Sequence, residues 1–151
     1  MSLLAVDLGL RSGMALYGKD GRLCWYRSHN FGAIGRMRRG VPTILKQIPD
    51  LSWLVLEGGG QLEQCWLKEA DRREIQVLQI GAERWRTKLL HPREQRSGSN
   101  AKRHADHLAR AVIDWSNASR PTSLRHDAAE AILIGLWGVL EIGWLDALPS
   151  L

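Results

Sequence analysis

Leu3-Leu4-Ala5-Val6-Asp7-Leu8-Gly9 opens the chain with an apolar run that stops on a carboxylate. Trp53-Leu54-Val55-Leu56-Glu57, followed by Gly58-Gly59-Gly60, repeats that pattern further along. Short apolar runs bounded by glycine read as buried strands. A charge ending such a strand is costly unless something compensates it. Working outward, Gly13–Tyr17 and Leu23–Arg27 read as two strands joined at Lys19-Asp20-Gly21, since Asp-Gly tolerates the positive φ of a hairpin turn. The spacing predicts helices over Arg36–Gln47, Leu62–Glu74, Arg84–Leu90, Ala101–Trp115 and Asp127–Trp144, a strand at Ile75–Ile80, and loops over His91–Ser99 and Asn117–Arg125. Strands interspersed with helices predict an α/β fold, a sheet with helices on its faces, as one domain over residues 1–151.

The composition is that of an ordinary globular domain, with 151 residues, 44% hydrophobic and 25% charged, which excludes disordered and fibrous classes. Cys24 and Cys65 are too few for a disulfide framework or a zinc site, and a reduced compartment follows. Met1–Leu10 has no basic region before its apolar stretch, and Asp7 interrupts it, so it does not read as a signal peptide. Ala128–Leu148 carries Glu130, Glu141 and Asp146, too many charges for a membrane span. The expectation is a cytoplasmic protein with no membrane partner. Net charge is +5, and it is concentrated: Arg84–Arg125 holds ten basic residues against three acids, leaving the remainder at −2. Such a segment suits either a polyanion, most often nucleic acid, or a solvated helix face.

Four carboxylates stand where strands end or a helix begins: Asp7, Glu57, and the pair Asp127 and Glu130, three apart on one helix face. Strand ends are where α/β proteins assemble sites, and Gly58–Gly60 leaves room for a bulky ligand backbone. Taken singly each has a structural reading; Asp127-Ala128-Ala129-Glu130, for example, fits a helix capping box. If they converge, their mutual repulsion calls for a cation, and hard oxygen ligands suit Mg²⁺ or Mn²⁺. Two such ions would serve phosphodiester hydrolysis by activating water and stabilising the leaving oxygen. Beside this acidic site, Arg96, Lys102 and Arg103 flank the Ser97-Gly98-Ser99 loop and the start of a helix, a suitable phosphate contact. Trp85 suits core packing or base stacking, and His126 adjoins the ligand position without occupying it.

These segments also resemble a known family. Leu4-Ala5-Val6-Asp7-Leu8-Gly9 with Ser12-Gly13 looks like the opening strand and turn of RuvC-type nucleases of the ribonuclease H-like superfamily. Leu54-Val55-Leu56-Glu57 looks like their fourth strand, and His126-Asp127-Ala128-Ala129-Glu130-Ala131 like their final helix. The resemblance runs in order through nearly the whole chain. It implies a mixed five-stranded sheet flanked by helices, with Asp7, Glu57, Asp127 and Glu130 as metal-binding catalytic carboxylates. It further implies a Mg²⁺-dependent endonuclease, a homodimer on a Holliday junction, that nicks DNA and leaves a 5′-phosphate. The chain departs from the family pattern at Glu130, where Asp is frequent, and at Gly60, where familiar bacterial resolvases carry an aromatic residue.

Two other functions fit the same residues: a ribonuclease H-like enzyme on RNA·DNA hybrids, and an inactive nucleic-acid-binding module. A sugar-kinase or actin-like ATPase would need two domains of this size and is set aside.

Overall fold

In a computed structural model of the chain, the described residues are 1–90 and 98–151. Strands β1 (Ser2–Asp7), β2 (Arg11–Gly18) and β3 (Leu23–Asn30) form an antiparallel meander. The β2–β3 connection is the Asp-Gly turn, with Gly21 at φ 79° and its N–H donating to the Gly18 carbonyl. Helix α1 (Ile34–Lys46) carries the chain back along the sheet, so that β4 (Leu51–Glu57) lies parallel to β1. Helix α2 (Gly60–Arg72) repeats the crossover and sets β5 (Gln76–Ile80) parallel to β4. The sheet order is β3-β2-β1-β4-β5, the mixed five-stranded sheet expected. Helices α3 (Ala82–Leu89), α4 (Gly98–Ser116) and α5 (His126–Glu141) complete the fold.

Boundaries differ from the sequence reading where tertiary partners decide them. Strand β3 continues to Asn30 because Asn30 pairs with Arg11. Gly98 and Ser99 belong to α4 and not to the preceding loop. Helix α5 stops at Glu141, short of Trp144, because Gly143 takes φ 81° and the Trp144 N–H turns back to the Val139 carbonyl.

Strand alternation divides the core between the two faces of the sheet. Leu4, Val6, Met14, Leu16, Leu54 and Leu56 pack with Met37, Val41, Leu45 and Trp66 of α1 and α2. Leu3, Ala5, Ala15, Tyr17 and Val55 pack with α5 and with Trp85, Ala109, Val112 and Ile113. Every residue of α5 from Ala128 to Val139 is buried, the pattern of a helix covered on all sides. By the same alternation Asp7 and Glu57 project on the α5 side.

Two glycines let α5 lie close to the sheet. A Cβ on Gly135 would stand 2.3 Å from the Tyr17 ring, and one on Gly13 only 1.8 Å from the Asp127 carbonyl oxygen. The Tyr17 hydroxyl, fully buried, donates to the Ile132 carbonyl and pins the middle of the helix. Gly13→Ala must therefore push the start of α5 off β2. The expected loss is about 1–3 kcal/mol or more, read as a lower urea midpoint with an unchanged denaturant slope.

Candidate metal centre

Asp7 and Glu57 are the last residues of adjacent parallel strands and sit level with each other in the register. Glu130 lies one turn into α5, which the glycine contacts hold against β1 and β2. One carboxylate oxygen from each of the three falls within 4.8 Å of the others. Glu57 and Glu130 are buried and Asp7 is half-buried.

Such a cluster resists ionisation. Asp7 is pushed up to about 8, first by burial and then by the charges of Glu130 and Glu57. Glu57 is also raised, again by burial and then by Glu130; a hydrogen bond with Asp7 and the charge of Arg86 oppose the rise. Glu130 is the carboxylate with partners: its Oε1 accepts from the Arg86 guanidinium at 3.0 Å and lies 3.0 Å from His126 Nε2. The Arg86 guanidinium lies 5.2 Å from the ring of buried Trp85. Glu57 Oε2, by contrast, is buried without any hydrogen-bond partner.

A divalent cation fits these donors. Oxygens bound to one Mg²⁺ at about 2.1 Å stand at most about 4.2 Å apart, so these three, within 4.8 Å of one another, would draw closer to share one ion. The unpartnered Glu57 oxygen is the atom that most requires a ligand, since a buried polar group left unmade costs about 1–3 kcal/mol, more when charged.

Asp127, the fourth expected ligand, stands outside this group. Its Oδ2 accepts from Ser28 Oγ at 2.9 Å and its Oδ1 from the Ala128 N–H at 2.7 Å. Its charge still reaches Asp7 and raises it. The capping-box alternative is not realised, because Arg125 holds the N-cap position and Asp127 lies within the first turn. Trp85 belongs to the core.

Arg86 escapes the reading of the sequence, although a signal for it exists. Glu57 pairs with Ile80 at the end of β5, and α3 follows at once, so a cation in its first turns falls beside Glu57. Of the expected phosphate contacts, Arg96 lies outside the described residues. Lys102 and Arg103 are exposed in the first turns of α4, where Arg103 donates to Asn100 at 2.9 Å. The basic segment is also less free than its count implies. Arg86, Lys88, Arg110 and Arg120 are held by Glu130, Glu141, Asp106 and Asp114.

No protein-family model matches the chain, and no curated protein matches it in sequence. Solved structures do match in fold. Thermus thermophilus RuvC in complex with a Holliday junction substrate superposes with a TM-score of 0.67 at 16% identity, over 95% of this chain and 96% of that one. A second structure of Thermus thermophilus RuvC gives 0.65 at 16% identity, covering 95% and 97%. The yeast mitochondrial Holliday junction resolvase Ydc2 gives 0.55 at 12%, covering 89% and 77%. The chain thus has the RuvC-type, ribonuclease H-like fold that its motifs resemble. Among the described residues no helix is long and apolar enough to cross a membrane.

The raised acid has a definite pH signature. Asp7 titrates near 3.8 when unconstrained and near 8 in the folded chain, so ionising it opposes folding. Its contribution is fully present below pH ~4 and is lost as pH rises toward ~8. Urea unfolding in EDTA should therefore show stability falling across that window, with a shallower fall for Asp7→Asn. Saturating Mg²⁺ should restore stability at the upper end, by about 2.7 kcal/mol at a hundredfold excess over Kd.

Proposed function

We propose that this protein is a metal-dependent DNA endonuclease, selective for branched DNA and acting on four-way junctions. The observation that carries the reading is the buried carboxylate group Asp7–Glu57–Glu130, with its orphaned Glu57 oxygen, in a RuvC-like fold. Asp7, Glu57 and Glu130 would hold the ion, Mg²⁺ or Mn²⁺, with Asp127 beside them. When bound, such an ion supplies Lewis-acid activation of water and neutralises charge on the phosphodiester.

The chain's own residues do the rest. Arg86 and His126 both contact Oε1 of Glu130 and so hold that carboxylate in place. Ser28 and the Ala128 N–H hold the Asp127 carboxylate in one orientation. Of the glycines after Glu57, Gly60 leaves open space, since a Cβ there would meet nothing within 4 Å, whereas Gly58 packs against Leu8. Exposed cations without acidic partners among the described residues border this end of the sheet. Arg11 begins β2 beyond Asp7, Arg84 and Arg125 stand at the starts of α3 and α5, and Lys102 stands near that of α4. The last turn of α4 is tied to the opposite, hairpin end, where the Leu23 N–H donates to Ser116 Oγ, so its first turns reach the site end. An acidic centre within a basic rim suits a phosphodiester held by its neighbouring phosphates. As a single nuclease domain over 1–151, the chain would pair as a homodimer, because a two-fold assembly sets two centres on the two-fold-related strands of a junction.

Purified protein should nick a four-way junction in Mg²⁺ and leave linear duplex and RNA·DNA hybrid largely intact. Asp7→Asn should lower the rate at least ~10³-fold, as loss of a charge in the reacting centre does, while junction affinity changes little. Preference for the hybrid would replace the deoxyribonuclease with a ribonuclease. No cleavage of any substrate across several metals, by a folded protein, would refute the enzyme.

A further inference from the structure

Helix α1 carries Arg36, Arg38, Arg39 and Lys46 and no acid. Its three arginines are exposed, and none makes an ion pair among the described residues. Arginines in the opening turns of a helix stand against its dipole, so they do not serve the helix itself. The placement is also specific. The Phe31 N–H donates to the Leu10 carbonyl at 2.7 Å, and Asn30 pairs with Arg11, so the chain enters α1 from the end where Asp7 lies. Helix α1 then runs toward the start of β4, where Leu51 pairs with Ser2. Arg36 and Arg39 therefore occupy the half near the carboxylates, and Lys46 the far half.

Burial of Met37, Val41, Ile44 and Leu45 turns Arg39 outward and sets Arg36 on the flank of Gly40, whose neighbour is Phe31. That flank faces β3. There Arg27 lies on the same face as Trp25, exposed, with its guanidinium 4.6 Å from the Trp25 ring. Three cations thus stand on the face of the sheet opposite α5, in the half of the molecule where Asp7 lies.

We propose that Arg27, Arg36 and Arg39 contact the phosphates of a duplex arm of the DNA substrate, beyond the nucleotides at the carboxylates. This rests on the nuclease reading and extends it to where the substrate runs. Arg36 and Arg39 lie three residues apart, about 5 Å along the helix, close to the rise of one to two base pairs. Arginine donors on an exposed face with no competing acid suit phosphate oxygens.

The test measures binding of a four-way junction with long arms by fluorescence anisotropy over a range of salt in EDTA, with the full chain. Arg36→Gln with Arg39→Gln should weaken binding and reduce the log–log salt slope by about 1.8, at ~0.9 for each phosphate no longer neutralised. Lys19→Gln with Lys46→Gln removes the same charge from exposed positions at the hairpin and the far end of α1, and should leave the slope unchanged. An unaltered slope in the arginine variant overturns the arm contact and leaves the nuclease reading standing. Equal reductions in both variants also overturn it, since net charge would then account for the loss. Failure of the unmodified protein to bind any DNA overturns both. Gln keeps helix propensity, and circular dichroism confirms that each variant folds.

Discussion

Three carboxylates clustered in a partly buried setting repel each other and lose hydration together, and the architecture around them answers that constraint. Two arrive on the ends of parallel neighbours, β1 and β4, and the third on a helix pressed against the same sheet. Protein groups offset only part of the charge. Arg86 and His126 both act on one oxygen of Glu130, while Glu57 keeps a buried oxygen with nothing to accept from. Burial and the neighbouring charges push the Asp7 carboxyl well above its ordinary range. The resulting site is only partly neutralised, and its remaining charge is what a cation placed there would offset.

Much of this is legible in the order of residues. Asp7 and Glu57 stand out because apolar runs stop on them, and strand alternation by itself puts both on one face. Glu130 stands out only together with Asp127, and nothing in their spacing separates them, since residues three apart share a helix face. What separates them is Ser28, a residue of β3 distant in sequence, whose hydroxyl turns the Asp127 carboxylate aside. Helix ends are illegible for the same reason. The stop after Glu141 depends on Gly143 adopting a left-handed turn, while Asp127 is displaced from the cap by a helix that begins one residue earlier.

Charge is the least faithfully legible property. Counting along the chain directs attention to Arg84–Arg125, yet half of its described cations are matched by acids that folding brings to them. The run Arg36-Met37-Arg38-Arg39 is shorter and inconspicuous, but folding delivers no acid to it among the described residues. Linear charge density and available charge are different quantities. Only the second can attract a polyanion.

The level placement of Asp7 and Glu57 has a consequence for how the site tolerates change. The β1–β4 pairing is irregular near its start: Ser2 pairs with Leu51 but Leu3 with Trp53, so Ser52 is an extra residue absorbed there. From that point on, the parity of β4 is settled. Inserting or deleting a single residue between this irregularity and Glu57 would turn that carboxylate toward α1 and α2, leaving every acidic side chain present and the cluster dispersed. The chemistry of this centre is written as much in whether a count is odd or even as in which residues are counted.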